Sequence, residues 1–454
     1  MSACSAEWVK GSRVAGFSRV CTDSRHAQAG DLFVALSGEK FDGHAFLGEV
    51  AGKGVAAVMI ELDRAPQPLP DCAVVAVKNT RHALGRLAAA YRNDFEIPVI
   101  AVGGSNGKTT TKDLIAAVLG QKLRTLCSEA SFNNDIGVPL TLLRLEVSHQ
   151  AAVLEAGTNH PGELAPLLQM IRPRHGVITN IGREHLEFFG DLDGVAAEEG
   201  CIAEVLPADG TLFINGDSEW AGKLADRSRA KVVRVGFNDG NDWRATNVRL
   251  SKQGTTFRVV SQKNDLSGEY RIQLLGRHQV GNALIAIAVG EELGLGRSEI
   301  RDGLALCQPA KMRLQLWDAG GVRVLDDAYN ANVDSVLAAL QVLMELPCKG
   351  RRVAVLGDMA ELGTHSAVAH ADVGRATASA GVGQLIAVGK MSPVMAKAAR
   401  EAGLARVIEL ADVDAAVGAL KAFLKPGDLV LLKASRAARL ERIAETLKRM
   451  ANVV

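Results

Sequence analysis

The stretch VIAVGGSNGKTTTKDLI, residues 99–115, decides how the rest of the chain is interpreted. It runs from apolar residues of strand length into a glycine-rich turn and then into a helix-like segment that begins near Lys108. The strict phosphate-loop pattern G-x-x-x-x-G-K-[ST] needs a glycine at position 102, where this chain has Val102. The order of strand, glycine turn, GKT and helix still predicts a phosphate-binding loop.

The residues of this turn have the chemistry that a nucleotide phosphate needs. Glycines expose backbone N–H groups, and the N-terminus of a helix attracts anions. We expect the Lys108 ammonium to neutralise phosphate charge and the Thr109 hydroxyl to ligate Mg²⁺ beside ATP. The predicted nucleotide-binding residues of the loop are Gly104, Ser105, Asn106, Gly107, Lys108, Thr109 and Thr110. The alternative is an ordinary glycine turn with a surface lysine.

Composition limits the classes of function. The 454 residues predict two to four domains. Lys plus Arg total 52 and Asp plus Glu 51, so the net charge of +1 gives no general attraction for nucleic acid or an anionic membrane. We find no apolar window long enough to span a bilayer and no apolar signal-peptide core near the start, which favours a soluble, cytoplasmic protein. Seven cysteines without a CxxC pair fit reduced thiols.

Apolar runs of strand length alternate with helical segments along most of the chain, as expected for mostly parallel sheets. The strand-like runs are DLFVAL and GVAAVMI near the start, AAVLEAG, HGVITNI, TLFING and KVVRVG in the centre, and VRVLDD, RRVAVLGD, QLIAVG and GDLVLLKASR towards the end. Residues 243–275 depart from this rhythm, because three strand-like runs follow each other with short turns, and we expect an antiparallel patch there. Residues 306–313 are interpreted as a crossing between domains. We therefore predict an α/β fold of three domains: a small N-terminal α/β domain (1–94), a central P-loop NTPase-like domain (95–308) and a C-terminal Rossmann-like domain (309–454).

Two further side chains are expected beside the loop. Glu155 ends the apolar run AAVLEAG, and His185 follows the strand-like VITNI in GREHLEFFG. In open α/β sheets ligands collect at the carboxyl ends of the strands. A carboxylate and an imidazole there have the chemistry to hold a second divalent ion. A histidine after a strand is, on its own, more often a loop hydrogen-bonder.

At this point the chain resembles the Mur ligase family, the ATP-dependent amino-acid and peptide ligases of bacterial cell-wall synthesis. The motifs GGSNGKTTTK, SFNNDIGVPLTLL, VLEAGTNHPGEL, ITNIGREHLEFFG, LLGRHQVGNALIAIA, LDDAYNANVDS and VAVLGDMAELG occur in family order from about residue 100 to 363. TDSR, LFVALSGEKFDGHAFL and GDLVLLKASR extend the resemblance to nearly the whole chain. DDAYNANVDS, with Asn330 and Asn332, is similar to the branch that adds D-alanyl-D-alanine to a UDP-N-acetylmuramoyl tripeptide.

The resemblance implies a mechanism. The tripeptide carboxylate attacks the γ-phosphate of ATP to give an acyl phosphate, and the dipeptide amine then displaces phosphate. Catalysis is expected to consist mostly of positioning and electrostatic stabilisation by Lys108 and two Mg²⁺ ions. By the family pattern, Thr109 and Glu155 serve the first ion, and His185 with Glu155 the second. No nucleic acid or membrane partner is implied, and the chain is expected to act as a monomer.

The resemblance also implies binding roles for residues elsewhere. For ATP these are Asn282, Tyr329 and Asn330 at the adenine, with Arg313 and Asp326 at the phosphates and ribose. For the UDP-linked substrate and the dipeptide they are Asp23, Ser24, Arg25, Asn133, Asn134, Lys433, Ser435 and Arg436. The alternatives are helix packing for Asn282, turns for TDSR, Asp326 and the two asparagines, and solvated strand residues for the others.

One position departs from the family. Many members carry a lysine in the helix after HLE whose carbamylated side chain lies beside the second metal. Glu199 falls at that position here, in GVAAEEGCIAEVL, and cannot carry a carbamate. Either Glu199 supplies the anionic oxygen itself, or Glu198 and Glu199 form only the solvated face of a helix.

Three functions therefore compete. The first is the peptide ligase. The second is another ligase on the same plan, such as one that extends folate with glutamate, in which the N-terminal UDP-binding unit would be idle. The third is a nucleotide-binding regulator without chemistry. Phosphate release that depends on both the UDP-linked tripeptide and D-alanyl-D-alanine separates them.

Overall fold

The structure is a computed structural model that describes residues 4–11, 16–38, 41–66, 68–261 and 264–451. Glu39 and Lys40 of the motif LFVALSGEKFDGHAFL lie outside the described residues. The described chain forms three α/β units, each built on its own sheet. All seven cysteines are free thiols. The predicted α/β class with three domains is confirmed.

The N-terminal sheet has the strand order β1-β5-β4-β3-β2, with only β1 antiparallel to its neighbour. Its strands are β1 (Glu7–Lys10), β2 (Arg19–Cys21), β3 (Asp31–Val34), β4 (Ala57–Glu61) and β5 (Ala73–Val77). Its helices are α1 (Leu47–Gly52) and α2 (Thr80–Arg92), with 3-10 helices at Ser24–His26, Gly43–Phe46 and Leu62–Arg64. The sequence predicted β3 and β4 and missed the other three strands.

The central sheet has nine strands in the order β14-β13-β12-β11-β10-β9-β6-β8-β7. Its strands are β6 (Val99–Gly103), β7 (Thr125–Cys127), β8 (Ala151–Glu155), β9 (His175–Ile178), β10 (Thr211–Asn215), β11 (Lys231–Gly236), β12 (Trp243–Ser251), β13 (Gly254–Ser261) and β14 (Gly268–Ile272). Strands β12, β13 and β14 pair antiparallel and the others parallel, so the predicted antiparallel patch is confirmed.

The helices of the central unit cover both faces of its sheet. They are α3 (Lys108–Leu119), α4 (Gly137–Leu142), α5 (Leu164–Ile171), α6 (Leu186–Phe189), α7 (Leu192–Glu199), α8 (Cys201–Val205), α9 (Ala221–Asp226), α10 (Arg277–Glu292) and α11 (Arg297–Leu306), with a 3-10 helix at Asn264–Leu266. Strand β6 is an unbroken apolar run because Ile100 and Val102 join the core under α3 and α10, while Val99 and Ala101 join the core on the opposite face.

The C-terminal sheet has the order β15-β16-β20-β17-β18-β19, in which only β15 is antiparallel. Its strands are β15 (Gln315–Ala319), β16 (Val322–Asp326), β17 (Arg352–Gly357), β18 (Gln384–Val388), β19 (Val407–Leu410) and β20 (Leu429–Lys433). Its helices are α12 (Val333–Glu345), α13 (Ser366–Ser379), α14 (Ser392–Glu401), α15 (Val413–Phe423) and α16 (Glu441–Ala451), with 3-10 helices at Gly363–His365 and Arg436–Ala438. Edge strands β15 and β19 were not predicted.

The C-terminal unit lies directly against the central one. Leu275, just before α10, joins the hydrophobic core of the C-terminal unit. The Arg183 guanidinium, before α6, donates to Asp334 Oδ1 from Nε at 3.0 Å and from Nη2 at 2.5 Å. The His365 ring nitrogen Nε2 contacts Gly190 O at 2.9 Å. The carboxyl ends of β6, β8 and β9 therefore face residues of the C-terminal unit across a narrow cleft.

Candidate active site

The glycine turn after β6 is fitted closely against the end of β9. Gly104 has φ +107°, and a Cβ at this position would lie 2.3 Å from Thr179 Oγ1, so the site excludes larger residues. Asn180 accepts hydrogen bonds from the amide of Ser105 at 2.9 Å and from the amide of Asn106 at 2.7 Å. Helix α3 starts directly after Gly107. The unpaired N–H groups of its first turn are thus available to an anion.

A cavity of about 480 Å³ lies over this turn, between the central and C-terminal units. Predicted residues that line it are Ser105, Asn106, Gly107, Lys108, Thr109, Thr110, Asn133, Asn134, Glu155, His185, Asn282, Arg313, Tyr329, Asn330 and Lys433. Predicted residues outside its lining are Asp23, Ser24, Arg25, Gly104, Glu199, Asp326, Ser435 and Arg436.

Lys108 is the cation at the base of the cavity. Its ammonium donates to Gly104 O at 2.6 Å and lies 3.5 Å from Glu184 Oε1. Burial alone would lower the pKa of Lys108, but the charges of Glu184, Glu199 and Glu155 outweigh burial and raise the pKa above its ordinary value. Lys108 therefore stays positively charged at neutral pH.

Glu155 and Thr109 present oxygen atoms next to this lysine. Glu155 is 1% exposed, accepts from Thr109 Oγ1 at 2.8 Å with one oxygen, and accepts from Asn133 Nδ2 at 2.9 Å with the other. Mg²⁺ prefers oxygen ligands and is commonly held by one or two carboxylates together with phosphates. The pair fits that ion, although among the described residues no three His, Cys, Asp or Glu side chains form a metal cage of their own.

His185 lies between the two units. Its φ of +50° is unusual for a residue other than glycine, and its ring is mostly buried. Nδ1 lies 2.5 Å from Glu361 Oε2, an ion-pair contact that does not meet hydrogen-bond geometry, and Nε2 lies 3.9 Å from Glu184 Oε2. The contact with His185 lowers the pKa of Glu361. The C-terminal unit therefore supplies a carboxylate that holds the orientation of a predicted metal ligand.

Glu199 does not lie where either of its two interpretations placed it. The side chains of Glu198 and Glu199 are 7% and 1% exposed, so the solvated helix face is wrong. Glu199 Oε2 accepts from the amide of Gly104 at 2.6 Å, and Oε1 is buried without a hydrogen-bond partner. Burial raises the pKa of Glu199 to about 7, against the opposing charge of Lys108. Glu199 thus supports the phosphate loop from beneath, and it does not line the cavity.

Glu198, its neighbour, has a different task. It accepts from the amides of Gly162 and Leu164, each at 2.8 Å. Both amides belong to the segment that leads into α5, at its N-terminus. Glu198 therefore satisfies orphan donors at a helix start, where a carboxylate is favoured.

Arg313 enters the cavity from the C-terminal unit. Its Nη2 donates to Thr109 Oγ1 at 3.1 Å, and its guanidinium lies 4.2 Å from the centre of the Tyr329 ring. The Tyr329 hydroxyl donates to Ser131 Oγ at 3.0 Å in the central unit. Asn332 Nδ2 donates to Asn106 Oδ1 at 3.0 Å. A second positive charge thus enters the cavity that Lys108 lines, and it contacts the hydroxyl of the residue directly after Lys108.

The neighbouring aspartates differ from expectation. Asp326 is the last residue of β16, is 2% exposed and does not line the cavity, and burial raises its pKa. Asp327 lines the cavity instead. Consecutive residues at a strand end point to opposite sides. Of the two aspartates, only Asp327 therefore reaches the cavity, where its oxygens contact Lys433 and the amide of Leu314.

One of the three predicted adenine contacts, Asn282, lies in the first half of α10. Asn282 is 9% exposed and donates through Nδ2 to Gln279 Oε1 at 2.9 Å, while its other face meets Gly107. His278 also lines the cavity, and burial together with the nearby charge of Lys433 lowers its pKa to about 4. A neutral imidazole and an amide have hydrogen-bonding capacity that suits a nucleobase.

The three residues predicted at the dipeptide carboxylate are not equivalent. Lys433 is 3% exposed and lies 2.5 Å from Asp327 Oδ2. Ser435 donates to Ala331 O at 3.2 Å and accepts from the amide of Ala360 at 2.8 Å, so its hydroxyl is fully engaged. The Arg436 guanidinium lies 3.4 Å from Glu441 Oε1, outside the cavity lining.

The residues predicted to bind the UDP-linked substrate divide into two groups. In the N-terminal unit, Asp23 pairs with the exposed Arg25 at 2.6 Å and caps the 3-10 helix that begins at Ser24. The Arg25 hydrogen bond lowers the pKa of Asp23 to about 2. Asn134 Oδ1 accepts from the Gly137 amide at 2.9 Å at the start of α4 and also lines the cavity.

Sequence reasoning missed several residues that the fold brings to the site, among them Ser131, Glu184, His278, Asp327 and Glu361. Ser131 and Glu184 lie inside quoted motifs, SFNNDIGVP and GREHLEFFG, so their position next to Asn133 and His185 was the available signal. Glu361 lies in VAVLGDMAELG, whose strand end faces the cleft. Its contact with His185 joins residues 176 positions apart, and local pattern carries no signal for it.

Comparisons with known proteins agree along the whole chain. Residues 102–290 match the Mur ligase middle domain, residues 312–436 the Mur ligase glutamate ligase domain, and residues 17–92 the Mur ligase family catalytic domain. The UDP-N-acetylmuramoyl-tripeptide--D-alanyl-D-alanine ligase of Escherichia coli (strain K12) is 38% identical over 94% of this chain and 93% of that protein. The ligase of the same name from Bacillus subtilis (strain 168) is 36% identical over 94% and 92%.

Solved structures agree with these sequence relatives. A crystal structure of MurF from Acinetobacter baumannii has a TM-score of 0.86 and 32% identity, covering 95% of this chain and 93% of that one. MurF ligase from Thermotoga maritima in complex with ADP has a TM-score of 0.82 and 25% identity, covering 96% and 98%. Among the described residues, no helix combines the length and apolar character needed to cross a bilayer.

Proposed function

Because the chain belongs to the Mur ligase family, we propose that it is an ATP-dependent ligase that joins D-alanyl-D-alanine to a UDP-N-acetylmuramoyl tripeptide in peptidoglycan synthesis. ADP and phosphate are the other products. Two relatives named for this reaction are 36% and 38% identical to nearly the whole chain, which supports the assignment. The chain has three α/β units, and we assign the N-terminal one to the UDP-linked substrate, the central one to ATP and the C-terminal one to the dipeptide.

One observation carries the proposal. Lys108 of the central unit and Arg313 of the C-terminal unit line the same cavity, and Arg313 Nη2 lies 3.1 Å from the hydroxyl of Thr109, the residue directly after Lys108. Two positive charges from opposite domains suit a phosphoryl group that is being transferred, since its charge is spread over several oxygens. A simple nucleotide store would need only the loop.

The chemistry follows from this placement of charge. The terminal carboxylate of the tripeptide attacks the γ-phosphorus, and the bond from phosphorus to the ADP oxygen breaks. The dipeptide amine then attacks the acyl carbonyl, loses a proton, and phosphate leaves from the tetrahedral intermediate. Both steps place negative charge beside Lys108 and Arg313, so these residues lower both barriers by electrostatic stabilisation and by positioning.

Mg²⁺ is proposed as the cofactor. Thr109 and Glu155 would hold one ion, and Glu155 with His185 a second, as the family implies. When bound, Mg²⁺ supplies neutralisation of phosphate charge. The contact between Asn133 and Glu155 fixes the carboxylate, and the contact between Glu361 and His185 holds the imidazole.

The remaining binding roles are also proposals. Asp23, Ser24 and Arg25 are assigned to the UDP group, Asn133 and Asn134 to the substrate near the phosphates, and Asn282, Tyr329 and Asn330 to adenine. Asp326 is not retained at the ribose and phosphates, because it does not line the cavity. Ser435 and Arg436 are kept as candidates near the dipeptide. Cytoplasmic location and a monomeric state stay predictions.

The experiment is phosphate release measured with the full chain, ATP, Mg²⁺ and each acceptor set. Release that requires both the UDP-N-acetylmuramoyl tripeptide and D-alanyl-D-alanine, with the joined product identified by mass spectrometry, supports the proposal. Release with folate and glutamate instead would assign a different ligase reaction. Binding of ATP without turnover under any of these conditions would indicate a regulator and overturn the proposal.

A further inference from the structure

Lys433 and Asp327 form an ion pair beside the linker, residues 307–314, that carries Arg313. We propose that this Lys433–Asp327 pair positions Arg313 in the nucleotide pocket and does not bind the incoming dipeptide. The inference rests on the proposed function, because Arg313 is assigned there to the reacting phosphoryl group. It concerns a positioning role, since neither residue of the pair would need to touch the reacting atoms.

Two of the three N–H donors of Lys433 are already committed within its own domain. Nζ lies 2.5 Å from Asp327 Oδ2 and donates to Asn330 O at 3.0 Å. The side chain is 3% exposed. An ammonium group has three protons, so one is left for a ligand. A substrate carboxylate would therefore have to share with Asp327 a cation that is already buried. Such a group is better suited to holding structure than to capturing a dipeptide.

The other oxygen of Asp327 reaches the linker. Asp327 Oδ1 accepts from the amide of Leu314 at 3.1 Å, the residue directly after Arg313. Met312 and Leu314, on either side of Arg313, have φ values of +59° and +49°. Side chains with a Cβ disfavour this left-handed region. The linker therefore holds its shape only where outside contacts enforce it, and the Asp327 carboxylate is one of them.

Other contacts complete the support of Arg313. The amide of Tyr329 donates to Met312 O at 3.2 Å, so the loop that follows β16 grips the linker before Arg313 as well as after it. The Tyr329 ring then stacks against the guanidinium at 4.2 Å. Lys433 fixes this loop through Asn330 O and Asp327 together. The buried Lys433 ammonium thus fixes both the linker and the loop that support Arg313.

The two roles of Lys433 predict different kinetics. A residue that binds the dipeptide carboxylate acts mainly on the KM for D-alanyl-D-alanine. A residue that positions Arg313 acts on kcat and shares its effect with Arg313, because removing either disrupts the same interaction. The variants are Lys433→Met, Asp327→Asn and Arg313→Ala, alone and combined. Lys397→Met, on the exposed α14 of the same domain, is the matched control.

We expect Lys433→Met and Asp327→Asn each to lower kcat at least about tenfold, with the KM for D-alanyl-D-alanine within about twofold. In the Arg313→Ala background, Lys433→Met should add less than about threefold, because the positioned group is already gone. Lys433→Arg should restore most of the activity by pairing with Asp327. A KM raised about tenfold at unchanged kcat, or losses that multiply with Arg313→Ala, would overturn the inference.

A second measurement does not depend on turnover. Trypsin cleaves after Lys311 and Arg313, so the rate of cleavage at these two sites, followed by mass spectrometry, reports how firmly the linker is held. We expect faster cleavage in Lys433→Met and Asp327→Asn and an unchanged rate in Lys397→Met. Cleavage at the wild-type rate in both pair variants contradicts the inference, even if the wild type proves inactive with the proposed substrates, which would count against the proposed function alone. If Lys433→Met unfolds, Asp327→Asn decides, because it removes the charge that pairs with Lys433 while keeping nearly the same side-chain shape.

Discussion

The two walls of the active site are built in different ways. The first wall, which binds phosphates, is one continuous segment of the central unit, residues 103–110, whose shape is enforced by glycines at Gly104 and Gly107 with positive φ. The opposite wall is assembled from the linker at Arg313, the loop after β16 and the end of β20. The first wall is local in sequence, and the second depends on contacts between residues more than a hundred positions apart.

The difference separates binding from reaction. The local wall has a helix N-terminus and a lysine whose raised pKa keeps it charged, which is sufficient to hold phosphates. The assembled wall adds a second cation only where the C-terminal unit lies against the central one, as it does at Arg183 and Asp334. Domain closure commonly completes catalytic sites in this manner. Changes in the first wall should therefore impair binding and reaction together, and changes in the second wall mainly reaction.

The largest effect is expected from Lys108→Ala. Removing the Lys108 ammonium from the phosphate loop should lower kcat by about a thousandfold, which is in the upper range for loss of one electrostatic stabiliser. The fold should persist, because the Lys108 side chain contributes polar contacts and no hydrophobic core. Phosphate release and thermal unfolding measure both. Lys122→Ala, exposed just after α3, is the control. Near-normal turnover in Lys108→Ala would refute the site assignment.

Arg313→Ala tests the assembled wall. We expect kcat to fall about a hundredfold while the dissociation constant of ADP changes less than about threefold, because the central loop is untouched. Arg313→Lys should recover only part of the rate, since lysine lacks the planar guanidinium that stacks on Tyr329. Isothermal titration with ADP and steady-state kinetics provide the two numbers. Equal losses in ADP affinity and in kcat would show that Arg313 contributes to nucleotide binding as much as to the reaction.

The same contrast explains what the sequence could predict. Residues 99–115 were interpreted correctly as strand, turn and helix because each step is encoded locally, by an apolar run, by glycines and by a helical pattern. Asp326 was chosen over Asp327 because two identical neighbours differ only in which side of a strand end they face. Strands β1, β2, β5, β7, β15 and β19 were missed, and all of these except β5 are edge strands, where short segments lack a strong apolar pattern.

Glu199→Ala should have a smaller effect than either cation. Loss of the hydrogen bond to the Gly104 amide would leave a buried N–H group unpaired beneath the loop. We expect turnover to fall at least about tenfold, which is roughly 1.4 kcal/mol of barrier. Glu199→Gln should retain more activity, because its amide oxygen still accepts from Gly104. Steady-state phosphate release distinguishes them, and an unchanged rate in Glu199→Ala would show that the loop needs no support from below.

Glu199 also predicts a dependence of stability on pH. Its pKa is raised from 4.5 to about 7 in the folded state, so the folded chain favours the protonated carboxyl. The stability that this provides is fully present below pH 4.5 and is lost as the pH rises through about 7, with a total of about 3 kcal/mol. Denaturant unfolding of the wild type and of Glu199→Gln at pH 5 and pH 8 measures it. A parallel pH dependence in the two proteins would contradict the raised pKa.

Glu361→Gln should have the smallest effect on kcat. It tests whether the C-terminal unit also changes the metal affinity of the site in the central unit. Glu361 reaches from the C-terminal unit to His185 Nδ1, and partners of this kind commonly change metal affinity tenfold or more. We expect the Mg²⁺ concentration for half-maximal turnover to rise about tenfold, while kcat at saturating Mg²⁺ changes less than about threefold. Binding of Mn²⁺ in the presence of ADP, followed by electron paramagnetic resonance, gives a readout without turnover. Glu401→Gln, an exposed glutamate on α14, controls for charge. Unchanged dependence on Mg²⁺ and Mn²⁺ would show that the contact between Glu361 and His185 only joins the two domains. Metal binding would then depend on the central unit alone.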